Sequence, residues 1–229
     1  MLKYSVVKKR TYNQYCAVAR GLDVIGDRWT LLLIRELLLG PKRYGDLLAA
    51  SPGIGTNLLA DRLREMEVQG LVERVTLPPP AGSSVYRLTA AGAELENVVR
   101  AIGRWGTRLM GPRRRGEQLS AGAYFVALRE RFRPERAARL HEAYEFRVDG
   151  RVFEVRVDGK TCTTAEGHVK DAVAVFTMSV ETLNQVFLGQ ISAARAIADG
   201  SVQVDGDERA FTRFQDMFPP PDTPGVVAR

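Results

Sequence analysis

Between Thr30 and Gly40 the chain reads TLLLIRELLLG, with Leu31, Leu32, Leu33, Ile34, Leu37 and Leu38 covering nearly the whole circumference of a helix. A helix apolar almost all round has to be buried. Arg35 and Glu36 interrupt this one, and it is too short to span a bilayer. It therefore reads as the central helix of a small domain, running from Trp29 to Leu39, with Asp27 placed to cap its start and Gly40-Pro41 to stop it.

What surrounds that helix follows from periodicity. Val18, Leu22 and Ile25 share one face of a helix over Asn13 to Ile25, and Gly26 ends it. A short helix, Tyr44 to Ala50, leads into the turn Ser51-Pro52-Gly53. The next stretch, GTNLLADRLREMEVQGLV, puts Leu59, Leu63 and Met66 on one side of a helix and Asn57, Asp61, Arg64 and Glu65 on the other. Leu71 to Leu77 and Ser84 to Leu88 are two expected strands, joined by a loop from Pro78 to Ser83. Thr89 can cap a long helix in which Leu95, Val98, Ile102, Trp105 and Leu109 recur at heptad spacing, a seam that needs a partner helix.

The 229 residues suffice for two domains, and GPRRRG, Gly111 to Gly116, breaks the pattern between them. Residues 1–115 hold 19 Lys+Arg against 10 Asp+Glu, a balance of +9; residues 116–229 hold 14 against 17, a balance of −3. On charge alone, the first half suits a polyanion. Cys16 and Cys162 form no C-x-x-C pair and only two histidines are present, so no metal site is expected. No phosphate-binding, dinucleotide or nucleophile-elbow motif occurs, and the acidic residues are scattered, so no cofactor and no enzymatic activity are expected. His141 and His168 read as surface or hydrogen-bonded structural residues. The N-terminus, MLKYSVVKKR, lacks a signal-peptide pattern, and a soluble cytoplasmic protein without membrane association is expected.

In the second half a helix, Ala121 to Phe132, precedes strands over Ala143 to Val148, Val152 to Val157 with the turn Asp158-Gly159, and Val173 to Met178. Short helices Val180 to Phe187 and Ala193 to Ala198, a strand Ser201 to Val204, and a helix near Glu208 to Met217 complete it. The expected fold class is α+β in two domains, over 1–112 and 117–218, with 219–229 a disordered tail.

A helix, helix, short helix, turn, helix, hairpin and helix in a basic segment is the layout of a winged helix-turn-helix. Its second motif helix enters the major groove of double-stranded DNA. Thr56 and Asn57 then lie in the first turn of that helix, with Asp61 and Arg64 further along. Asn pairs bidentately with adenine, Arg with guanine, and Asp accepts from cytosine. Lys42 and Arg43, before the preceding helix, are candidates for phosphate. Asp61 and Glu65 carry the wrong sign for a phosphate-rich surface.

These residues also carry a family resemblance. The ordered features D-V-I-G-x-x-W, G-P-x-R-Y-G-x-L, P-G-I, L-x-x-x-L-x-x-M-E-x-x-G-L-V-x-R and Y-x-L-T-x-x-G span about residues 12 to 110. They resemble the HxlR-type winged-helix transcription regulators, relatives of the MarR type. The resemblance implies a homodimer on an inverted-repeat operator, with terminal helices at the interface, groove-facing Thr56, Asn57, Asp61 and Arg64, and Arg43 on phosphate. It departs at the wing, where Pro78 to Ser84 holds no basic residue, leaving Ser83, Ser84 and Arg87 as wing candidates. It also makes Cys16 a candidate redox sensor, with Arg20 favouring the thiolate. The preferred reading of Cys16 is a small buried apolar residue.

Over about 119 to 218, a strand ending in D-G, the helix M-S-x-x-T-L-x-x-V-F-x-G, then A-x-x-x-G-x-V-x-V-x-G-D and a final F-x-x-M-F resemble the sterol carrier protein-like domain. That implies a mixed sheet covered by helices around an apolar ligand pocket. Its candidate lining is Phe125, Phe176, Val186, Phe187, Ile191, Phe211, Phe214 and Met217, each of which taken singly reads first as core packing. Together the two halves read as a one-component transcription regulator in which an apolar ligand tilts the recognition helices, spaced about 34 to 36 Å apart in such dimers. The alternative is a lipid or small-molecule binding protein whose winged helix serves only dimerisation.

Overall fold

Two hydrophobic cores form, and the C-terminal end of the central helix reaches from the first into the second. The structure, a computed structural model, describes residues 11–78, 82–137 and 139–220. Part of the expected wing loop (79–81) and most of the expected tail (221–229) lie outside the described residues.

The first part comprises α1 (Ala17–Ile25), α2 (Thr30–Leu37), α3 (Tyr44–Ala50), α4 (Thr56–Val68), β1 (Val72–Thr76), β2 (Ser84–Leu88), α5 (Ala90–Glu94) and α6 (Glu96–Thr107). Leu33, Ile34 and Leu37 of α2 are buried against Leu47 of α3 and Leu59, Leu63 and Met66 of α4. The apolar stripe of α4 thus faces α2, which turns its polar stripe outward. β1 and β2 form an antiparallel hairpin with Val72 opposite Leu88. This is a winged helix-turn-helix, and the second part is a mixed-sheet domain, making the chain α+β.

Two local expectations need correction. Asp27 does not cap α2 with its side chain; its carboxylate pairs with Arg62 of α4 at 2.8 Å, and Trp29 starts the helix in a left-handed conformation, φ 82°. The long helix expected after Thr89 is broken at Leu95 into α5 and α6. The break follows from how α5 is fixed. Thr89 accepts from Gly92 N at 3.1 Å and donates to Gly70 O at 2.5 Å. A Cβ on Gly92 would stand 1.9 Å from Leu71 O, so only glycine lets α5 lie this close to the start of the hairpin.

The second part comprises α7 (Ala121–Arg131), α8 (Pro134–Ala137), β3 (His141–Val148), β4 (Arg151–Asp158), β5 (Thr161–Glu166), β6 (Ala172–Met178), α9 (Val180–Phe187), α10 (Ala193–Ala198), β7 (Val202–Gly206) and α11 (Ala210–Met217). The sheet order is β5-β4-β3-β6-β7; β3 and β6 run parallel and the other neighbours antiparallel. Asp149 and Gly150, both at positive φ, make the tight β3–β4 turn. The strand β5, TCTTAE, was not expected: it is polar and lies at the sheet edge, so it lacks the alternation that marks a half-buried strand. Phe146 and Phe153 from the sheet pack against Phe125 of α7, whose ring stacks on Phe153 with centroids 4.2 Å apart.

Leu39, just beyond α2, is buried in this second core. Arg129 of α7 donates to Leu38 O (3.1 Å), Glu96 Oε1 of α6 (2.9 Å), and both Thr164 Oγ1 (2.9 Å) and Thr164 O (2.6 Å) of β5. The two parts are thereby joined through hydrogen bonds as well as apolar packing.

Gly92→Ala should destabilise the protein by roughly 1 to 3 kcal/mol, since the methyl meets backbone that cannot swing away. Gly103→Ala, with open space at its Cβ, should be neutral or stabilising. Chemical denaturation of both variants checks this; equal midpoints would refute the close-approach argument.

Candidate nucleic-acid interface

At the start of α4 the Tyr44 hydroxyl of α3 donates to Thr56 O at 2.6 Å, fixing where the helix begins. Thr56, Asn57, Asp61 and Arg64 are all exposed on one side, and the buried Leu59, Leu63 and Met66 hold the other. Arg64 Nη1 lies 2.9 Å from Asp61 Oδ1, with both side chains open to solvent. Such an exposed pair holds by only about 0.3 to 0.5 kcal/mol, so Arg64 is pre-aimed yet able to leave Asp61 for another acceptor. Glu65 is half-buried and paired with Arg62, which Asp27 also holds, so its charge is balanced within the protein.

At the wing, Arg43 Nε donates to Ser83 Oγ at 3.1 Å and Arg74 Nε to Ser84 Oγ at 2.6 Å. Arg87 pairs with Glu73 at 2.7 Å. Arg74 was missing from the sequence-based candidates. It lies in β1, outside the Pro78 to Ser83 loop, but its register opposite Tyr86 sets it beside Ser84. Arg43, exposed at the head of α3, and Arg74, exposed on the hairpin, form one basic edge next to α4.

Lys42 is a correction. Expected on phosphate, it is only 4% exposed and is paired with Glu166 of β5. Burial, with the Arg151 charge next in weight, lowers its ammonium to about 8. A group so enclosed does not meet a phosphate in this arrangement.

The expected seam is divided. Ile102 (48% exposed), Trp105 (61%) and Leu109 lie in the open along and just beyond α6, without a partner element among the described residues. Val98 is half-buried, and Leu95 turns inward onto the winged-helix core because it sits at the α5–α6 corner. On α1, Val18 and Leu22 are likewise exposed.

Cys16 also departs from the preferred reading. It is exposed at the N-cap of α1. Its thiol is lowered by the backbone N–H groups of Ala19 and then Val18, rather than by Arg20. Cys162, in β5, is pushed up to about 12 by burial.

In the second domain, Phe125, Val186, Phe187, Phe211 and Phe214 border a cavity of only about 30 Å³, together with Tyr124 and Phe218. That is the space of about one water molecule, whereas small-molecule pockets take about 300 to 1,000 Å³. Phe176, Ile191 and Met217 do not border it. The eight candidate lining residues are therefore core packing in this structure, because aromatic rings interdigitate where a pocket was expected: Phe176 and Phe211 have centroids 4.6 Å apart. Of the two histidines, His141 pairs with Asp158 and His168 with the buried Glu145. Among the described residues, no helix is long and apolar enough to cross a membrane, and no group of three or more His, Cys, Asp or Glu is placed to hold a metal.

The fold and the outward polar face of α4 define a winged-helix protein of the kind that reads DNA. Residues 24–114 match the family model described as HxlR-like helix-turn-helix. An uncharacterised HTH-type transcriptional regulator of Synechocystis is 36% identical over 92 residues, covering 40% of this chain and 68% of the relative. YvaP of Bacillus subtilis, another such regulator, is 31% identical over 93 residues, covering 41% and 86%. The HTH-type transcriptional regulator YodB of the same organism is 35% identical over 92 residues, covering 40% and 82%. This chain belongs to the HxlR-like helix-turn-helix family. Its second half, residues 115–224, matches the model described as alkyl sulfatase C-terminal, where the sequence reading expected a sterol carrier protein-like domain.

At pH 8, iodoacetamide should alkylate Cys16 at least roughly tenfold faster than Cys162 in the native protein, because exposed thiols of lowered pKa react and buried ones do not. Unfolding should erase the difference. Peptide mass spectrometry gives both rates, and equal native rates would refute the assigned environments.

Proposed function

We propose that the protein is a DNA-binding transcriptional regulator that acts as a homodimer on an inverted-repeat operator. The observation that carries this is the exposed row Thr56, Asn57, Asp61 and Arg64 on α4, backed by a buried apolar row and flanked by the Arg43–Arg74 edge. A helix so presented can enter a major groove, with Asn57 and Arg64 at base edges and Arg43 on phosphate. Ser83 and Ser84, which accept from Arg43 and Arg74, orient those cations, while Arg87 is held by Glu73. The family membership of residues 24–114 and the regulators among the relatives support the same reading.

Dimerisation is supported by the open apolar side chains of α6, Ile102 and Trp105, continuing to Leu109, and by Val18 and Leu22 of α1. Single exposed apolar residues are ordinary, but a row of them on one helix needs cover. In this reading the second domain is non-catalytic and has the sterol carrier protein-like architecture of a mixed sheet with helices. Its packed interior supports the regulator more readily than the carriage of an apolar ligand. Ligand sensing would require the aromatic cluster around Phe187 and Phe211 to open.

Selection of bound duplexes from a random DNA pool should yield an inverted repeat. On it, Arg64→Ala should cost about 1 to 3 kcal/mol and relax one base position, whereas Arg43→Ala should weaken all sequences alike. Uniform loss in both variants would refute the groove assignment. Trp105→Asp should shift the protein toward monomer in sedimentation and weaken binding to the full repeat more than to a half-site, since a charge at the centre of an apolar seam is left unpaired. Retention of the dimer would exclude α6 from its interface.

A further inference from the structure

Lys42 alone among the expected DNA contacts is buried, and what buries it is the other domain. Its ammonium is paired with Glu166, the last residue of β5. Arg151, the first residue of β4, grips that same carboxylate with Nε and Nη2, each at 2.8 Å. Arg151 Nη2 also faces Glu36 Oε2 of α2 at 3.4 Å. Glu36 is fully buried and takes further bonds from Arg35 Nη2 (2.8 Å) and Ser120 Oγ (3.2 Å). Cation and carboxylate alternate from Lys42 to Glu36, crossing the domain boundary twice. The Glu166 backbone N–H adds a bond to Leu39 O at 2.7 Å.

The backbone of Lys42 belongs to the wing. Its N–H donates to Tyr86 O at 2.9 Å and its carbonyl accepts from Tyr86 N at 2.8 Å, tying the segment before α3 to β2. The next residue, Arg43, begins α3 and reaches Ser83. A side chain anchored in one domain and a backbone built into the edge of another make Lys42 the point where the second domain holds the wing. Lys42 and Glu36 are buried and Arg151 and Glu166 half-buried, so truncating one partner leaves a poorly solvated charge unpaired and the cluster has one favoured geometry.

We propose that the second domain positions the wing of the DNA-reading head through Lys42, Glu166, Arg151 and Glu36, and that these are positioning residues rather than DNA contacts. The role in DNA binding rests on the function proposed above; the wing restraint itself does not.

The test uses the full chain with Lys42→Met and Glu166→Gln. Amide hydrogen exchange at Lys42 and Tyr86 should accelerate about tenfold or more in both variants, with the amides of β3 and β4 unchanged, because a local opening is read only where its bonds break. On the selected operator, both should lose about tenfold in affinity with no change in the slope of log affinity against log salt, since no phosphate contact is removed. Unchanged exchange at Lys42 and Tyr86 in both variants would overturn the proposal. So would a salt slope lower by about 0.9 in Lys42→Met alone, the mark of one lost phosphate contact. Global unfolding of both variants would make the cluster a folding requirement and overturn a positioning role. If the wild-type protein binds no selected duplex, the DNA-binding reading fails, while amide exchange still decides whether the second domain restrains the wing.

Discussion

The guanidinium of Arg129 bonds three segments that no local sequence rule brings together: the end of α2 at Leu38, the start of α6 at Glu96, and β5 at Thr164. Two of these belong to the winged helix and one to the sheet domain. A helix C-terminus leaves carbonyls without intrahelical partners, and burying them unpaired is costly. Arg129 and the Glu166 amide supply the partners for Leu38 and Leu39, so α2 can pass its last residues into a second core. The same boundary holds the buried Lys42 against Glu166 and the clasp of Arg100 and Arg104 on Glu130.

The insertion explains the use of an unusually apolar helix. α2 serves two cores: Leu33, Ile34 and Leu37 face the recognition helix, while Leu38 and Leu39 pack against the sheet domain. With its apolar circumference divided in this way, α2 anchors α4 from behind and leaves Thr56, Asn57, Asp61 and Arg64 facing outward. On α6 a similar division holds. Glu96, Arg100 and Arg104 face the second domain, and Ile102 and Trp105 look outward. The same helix thus connects the second domain to the side proposed for dimerisation.

Local periodicity made α4 legible from the sequence, because Leu59, Leu63 and Met66 state its buried side and the polar side follows by subtraction. The helices α9 and α10 fall within the expected bounds for the same reason, with Ser179 and Ser192 capping them. What escaped depends on partners distant in sequence. Lys42 looks like any basic residue before a helix until Glu166, 124 positions away, is seen against it. Leu95 keeps heptad spacing, but a helix break fixed by Gly92 and Leu71 turns it inward. The aromatic residues taken as pocket lining have the composition of a pocket; only their mutual geometry shows that they fill it. Arg74 was hidden by strand register, which the hairpin loop alone does not reveal.

Net charge is a coarser guide to the DNA-facing surface than the balance of +9 over residues 1–115 suggests. Many of those cations face carboxylates inside the protein: Lys42 with Glu166, Arg62 with Asp27 and Glu65, Arg87 with Glu73, Arg100 and Arg104 with Glu130, and Arg113 with Glu181. Three of these carboxylates, Glu130, Glu166 and Glu181, come from the second half, so part of the basic excess of the first half is neutralised by the −3 of the second. Arg43 and Arg74 are different. Their partners are serine hydroxyls, which orient a guanidinium without cancelling its charge. Arg43 and Arg74 thus place uncancelled charge on one edge beside α4, where it can set register along a duplex.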